Sequence, residues 1–185
     1  MSRRSLLLVT GASGVGKTTA VEAVAARARP GVAVFHFDRI GVPDAETLER
    51  EYGSGAAWRA SALGRWMDRL RGEPAPVAVL DGQVEPALVE GRRDGDRTAA
   101  AVLLDCERGV REARLRGRGR PELASHEMHA WAAYLRGQAD ALGIPVIDTT
   151  GRTPEEVADA LEARMRTLPR SAGGGGVDLP AASSG

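Results

Sequence analysis

Lysine is almost missing from this chain. Lys17 is the sole lysine among 25 Lys and Arg residues. Cysteine is equally scarce: Cys106 stands alone, which excludes an intramolecular disulfide and a cysteine-based metal cluster. Neither charge sign is in excess, with 25 basic and 25 acidic residues. That balance argues against a dedicated nucleic-acid or anionic-membrane surface. Long apolar runs are also lacking. Leu6–Val9 and Val32–Phe35 are far too short to span a bilayer. Arg3-Arg4 ahead of Leu6-Leu7-Leu8 resembles the start of a signal peptide, but the apolar stretch stops at Thr10-Gly11, too soon for its hydrophobic region. A cytoplasmic location is expected. No repeat of 20–50 residues is visible.

What remains is an ordinary globular composition, 43% hydrophobic and 27% charged over 185 residues, the size of one domain. Short apolar runs alternate with helical patterns. The runs 5–10, 32–38, 76–81, 98–105 and 144–148 read as strands. The stretches 18–29, 44–52, 56–71, 109–117, a segment from Ser125 to Gly143, and one from Pro154 read as helices. Thr153-Pro154-Glu155-Glu156 is a capping box with proline at the first helical position. Alternation of this kind predicts a mostly parallel sheet covered by helices on both faces, an α/β fold. Residues 1–168 read as one domain. Residues 169–185, rich in Gly, Ala and Ser, read as a disordered tail.

The lone lysine falls in the run Gly11-Ala12-Ser13-Gly14-Val15-Gly16-Lys17-Thr18, which matches G-x-x-x-x-G-K-[ST] throughout. A strand precedes it and a helix follows, as a phosphate-binding loop requires. Its glycines let backbone N–H groups curl around phosphate oxygens, and the helix adds its positive end. In such a loop the lysine reaches the β- and γ-phosphates, and the hydroxyl of Thr18 ligates Mg²⁺. Thr19 follows on the nucleotide side. No T/S-K-x-D or N-K-x-D base-reading motif of a GTPase exists, because no second lysine does.

Over about residues 5–168 the chain resembles the small P-loop kinases: adenylate, shikimate and gluconate kinases and their antibiotic-phosphorylating relatives. Besides the loop, three weaker motifs carry the resemblance. Val79-Leu80-Asp81-Gly82 is similar to the third-strand LDG of adenylate kinases, and Arg114-Leu115-Arg116-Gly117-Arg118 to the start of their lid. Val146–Thr150 followed by Pro154–Val157 is similar to their last strand, adenine loop and last helix.

The resemblance implies a five-stranded parallel sheet of order 2-3-1-4-5, an arginine-rich lid over 116–125, and acceptor-side helices over 39–72. It implies ATP and Mg²⁺ as cofactors and a small-molecule acceptor. The charge balance and the short apolar runs speak against a nucleic-acid or membrane partner, and a monomer or homodimer is expected. Asp38, at the end of the second strand, is expected to bind the acceptor hydroxyl and take its proton. Asp81 is expected to hold Mg²⁺ through water. Arg114 and Arg118 are expected on the transferring phosphoryl group, with adenine between these arginines and the loop from Gly151 and Arg152 to Pro154. Arg59, Asp81 and Gln83 are assigned to the acceptor along with Asp38.

The run Asp81-Gly82-Gln83-Val84-Glu85 departs from the Asp-Gly-aromatic-Pro-Arg of adenylate kinases and lacks its arginine. That counts against a nucleoside monophosphate kinase, which stays as an alternative beside a nucleotide-binding regulatory ATPase. His36 reads as a packed or backbone-bonded histidine, and Trp58, Trp66 and Trp131 as core.

Overall fold

The computed structural model describes residues 4–168. The tail expected over 169–185 lies outside the described residues. Strand β1 (Arg4–Thr10) leads through the glycine loop into helix α1 (Lys17–Ala26). Strand β2 (Val32–His36) is followed by a 3₁₀ turn and by helices α2 (Ala45–Tyr52) and α3 (Gly55–Arg71). Next come β3 (Val77–Gly82), the short β4 (Arg93–Asp94), β5 (Arg97–Asp105), α4 (Arg108–Gly117), α5 (His126–Leu142), β6 (Val146–Asp148) and α6 (Pro154–Arg166).

The sheet is mixed rather than purely parallel. Its parallel part runs β2-β3-β1-β5-β6, which is the expected order once β5 and β6 stand for the fourth and fifth strands. The additional strand is β4, antiparallel to the start of β5. It arises at Asp94-Gly95-Asp96, where Gly95 takes φ +61° inside a two-residue hairpin loop, a turn that favours glycine. β4 pairs near the beginning of β5 and β6 near its end, so both use one edge.

Alternation along the strands sorts the core into two layers. Leu6, Leu8, Ala78 and Leu80 pack with Trp58, Leu63, Trp66 and Leu70 of α3 and Leu135 of α5. Leu7, Val9, Val77 and Val79 pack with Val21 and Val24 of α1 and Leu161 and Met165 of α6. Period-2 side chains on strands covered on both faces require apolar residues at nearly every position, which explains the unbroken run at Leu6–Val9. Trp58 and Trp66 are core residues, as the sequence suggests.

Local chemistry fixes the helix starts. Asp44, Ser54, Ser125 and Thr153 each accept a bond from a backbone N–H in the first turn, and Thr153 with Glu156 completes the expected capping box.

One boundary differs where it matters for the site. The second strand was expected to run to Asp38 but ends at His36, and Phe37–Ile40 forms a 3₁₀ turn. Phe37 is buried and packs edge-on against Trp58, with ring centroids 5.7 Å apart. Trp66 Nε1 donates to the Phe37 carbonyl at 3.0 Å. At Gly82 a Cβ would lie 2.6 Å from Phe37 Cβ, so only glycine lets this turn sit against β3. Aromatic packing thus bends the chain out of the sheet one residue before Asp38.

Candidate phosphotransfer site

The glycine loop lies where β1 ends and α1 begins, at the C-terminal edge of the parallel strands, the usual ligand-binding edge of such sheets. At Gly14 (φ +88°) a Cβ would come within 2.8 Å of Arg111 Cγ and 2.9 Å of Leu115 Cγ. Helix α4 therefore backs the loop directly.

Lys17 Nζ curls over the loop and donates to the carbonyls of Gly11 (2.7 Å) and Ala12 (2.9 Å). Burial lowers its pKa to about 8, against the upward pull of Asp81 and Asp38. A cation desolvated in this way is poised for an anionic ligand.

Thr18 Oγ1 donates to Asp81 Oδ2 at 2.9 Å, joining the loop to the end of β3. Asp81 is 4% exposed. A hydroxyl and a carboxylate side by side are hard oxygen donors that suit Mg²⁺, which favours one or two protein oxygens beside phosphates and water. Among the described residues no group of three or more His, Cys, Asp and Glu side chains could hold a metal by itself. The donor set therefore fits a nucleotide-borne metal rather than a protein-caged one.

Two recesses open on either side of the loop. The larger, of about 440 Å³, is lined by Ser13, Lys17, Thr18, Asp81 and Gln83, and also by His36 and Asp38. The smaller, of about 220 Å³, is lined by Thr19, Arg114, Thr149, Arg152, Pro154 and Val157. Gly16 and Arg118 border both. Asp38 lines the larger recess and stays open to solvent. Its carboxyl titrates above the ordinary range, first through desolvation and then through the neighbouring Asp81 charge, with Lys17 and His36 opposing. A raised carboxyl is a better proton acceptor than an ordinary one.

The assigned residues do not all come together. Gln83 lines the larger recess, and its Nε2 donates to Ser13 Oγ at 2.8 Å, tying the end of β3 to the loop. Arg118 reaches Thr19 Oγ1 at 3.3 Å from the C-terminal end of α4. Arg114 lines the smaller recess. It donates to Thr149 Oγ1 (2.9 Å) and the Thr149 carbonyl (2.8 Å), while Thr149 Oγ1 donates to the Val15 carbonyl at 2.9 Å. Arg114 thus braces the glycine loop against the loop after β6. Gly151, with φ +66°, shapes that loop, and Arg152 of the same turn lines the smaller recess.

Arg59 is not among the residues that line the larger recess. It makes a two-pronged ion pair with Glu85 (2.6 and 3.0 Å) and lies 4.6 Å over the Trp131 ring. Glu85 stands where the resembled motif has arginine, and it is 7% exposed.

His36 is the site residue that sequence reasoning missed. Rather than packing or bonding backbone, its Nδ1 lies 2.8 Å from Asp81 Oδ1, and the ring lines the larger recess. Nothing local in the sequence signals it, because the pairing follows from the register of β2 on β3, which sets His36 beside Asp81.

A mostly parallel sheet with the glycine loop after its central strand, the Thr18–Asp81 pair and a divided cleft make up a P-loop fold of the kind that small kinases have. Solved structures agree. The shikimate kinase from Acinetobacter baumannii in complex with shikimate matches with a TM-score of 0.56 at 16% identity, over 90% of this chain and 96% of that one. A gluconokinase from Sinorhizobium meliloti 1021 matches at 0.55 and 20%, over 88% and 95%. Thymidylate kinase from Candida albicans matches at 0.60 and 14%, over 90% and 93%. No protein-family model and no curated protein matches the sequence. Among the described residues no helix is long and apolar enough to cross a membrane.

Proposed function

We propose that the chain is an ATP-dependent phosphotransferase that moves the γ-phosphoryl group to a hydroxyl of a small molecule. The observation that carries this reading is the complete glycine loop, with Lys17, opening into a recess that Asp38 also lines. The base would occupy the smaller recess, the phosphates the loop, and the acceptor the larger recess.

Mg²⁺ would be held by the Thr18 hydroxyl and, through water, by Asp81; when bound it neutralises phosphate charge. Lys17 and Arg118 bring positive charge to the equatorial oxygens. The acceptor oxygen forms the new bond to phosphorus as the bond to the ADP oxygen breaks. Asp38 orients the acceptor hydroxyl and takes its proton. Leu115 and Leu123, which also line the larger recess, limit access of water.

Glu85 takes the position of the arginine in the resembled motif and is paired with Arg59 outside the larger recess, so that position offers no cation to a monophosphate. The test is ADP release with Mg²⁺–ATP across a panel of hydroxylated metabolites, nucleosides, nucleoside monophosphates and aminoglycosides. One acceptor should raise the rate at least about tenfold, and Lys17→Ala should cut that rate by about a hundredfold or more. Lys17→Ala with full transfer overturns the reading. A slow ATPase indifferent to every acceptor supports a regulatory nucleotide-binding role instead.

A further inference from the structure

The reaction above uses Asp81 but gives no reason for a histidine beside it. His36 and Asp81 are register partners on the adjacent parallel strands β2 and β3, so their side chains leave the sheet on the same face. Asp81 is clamped from two sides, Oδ1 by His36 Nδ1 at 2.8 Å and Oδ2 by Thr18 Oγ1 at 2.9 Å. An ionised carboxylate can only accept, so the Nδ1 of His36 carries the hydrogen and donates it.

The alternative partner is close by. Lys17 adjoins Thr18 and lines the same recess as Asp81. A carboxylate that lost one of its two donors would turn toward that ammonium. That turn would withdraw one oxygen from the metal.

We infer that His36 is a positioning residue for Mg²⁺–nucleotide binding: its Nδ1–H holds Asp81 on Thr18 and off Lys17. The inference rests on the reading that Thr18 and Asp81 hold Mg²⁺. Its ground is the position of the ring, 22% exposed at the recess and bonded to a nearly buried acid, where a mere packing residue needs no such bond.

The test is ATP binding by titration calorimetry on the full chain, with Mg²⁺ and with EDTA. It uses the wild type, His36→Ala, His36→Asn and His36→Gln, each checked for a cooperative thermal transition. Asparagine places its amide N–H near the histidine Nδ1, and glutamine places it farther out, near Nε2. Loss of an outer partner of a metal site costs roughly tenfold in affinity or more. His36→Ala should therefore lose about tenfold with Mg²⁺ and far less in EDTA. His36→Asn should stay within about twofold of wild type, and His36→Gln should behave like the alanine variant. Where alanine does not fold, the contrast between asparagine and glutamine decides. Equal losses with and without Mg²⁺ overturn the inference, as does unchanged Mg²⁺-dependent affinity or an asparagine variant no better than glutamine. A wild type that binds no ATP sinks the phosphotransferase reading itself, which separates the two failures.

Discussion

Lys17 is held with its ammonium on two loop carbonyls and its pKa near 8, because burial outweighs the attraction of Asp81 and Asp38. Its ordinary value is about 10.5. Between those two values the unfolded chain binds the proton more than the folded one, so stability rises with pH across that window. Below pH 8 the cost of the buried charge is present in full. A bound phosphate group reverses the balance by favouring the charged amine. ATP binding at pH 9 should therefore take up protons, whereas binding at pH 7 should take up almost none through this residue. Calorimetry at each pH in two buffers of different ionisation enthalpy reads the difference. Equal proton uptake at both pH values would show that Lys17 is not desolvated.

Arg59 and Glu85 join α3 to the chain after β3, with Trp131 of α5 beneath the guanidinium. Removing one partner strands the other, which is 10% to 21% exposed. Arg59→Ala should cost roughly 2 kcal/mol, below the range for a fully buried pair. Arg59→Ala combined with Glu85→Leu should recover most of it. Denaturant unfolding measures both. Loss of transfer in a recovered double variant would restore the acceptor-binding role for Arg59.

The same contrast explains what was legible beforehand. The glycine loop was readable because its chemistry lies in eight consecutive residues. The helix starts were readable because caps act over three. The pairing of Arg59 with Glu85 spans 26 residues and depends on how α3 lies on the sheet. The His36–Asp81 bond spans 45 and depends on strand register. The end of β2 at His36 depends on Trp58 and Trp66 gripping Phe37, a tertiary effect that overrides a strand-like sequence.

At the scale of the whole molecule, the two recesses meet at Gly16 and Arg118. A nucleotide spanning them would touch the glycine loop, α1, α4 and the loop before α6 at once. Ligand that binds only the folded state stabilises it, by about 2.7 kcal/mol at a hundred times its Kd. For a chain of this size that corresponds to a rise of about 5–10 °C in Tm. Thermal unfolding with saturating Mg²⁺–ATP should show it, and the Lys17→Ala variant should show most of it lost. No shift in the wild type would mean that the cleft does not take ATP.

The scarcity of lysine has a chemical consequence beyond phosphate binding. With its pKa near 8, Lys17 is a far better nucleophile near neutral pH than an ordinary lysine. It is also the only ε-amine in the chain. Apart from the α-amine, a reagent selective for amines has one address on this protein, and that address is in the glycine loop. Acetylation of a single side chain would both neutralise the loop and occupy it, so covalent amine chemistry and nucleotide occupancy exclude each other on this molecule.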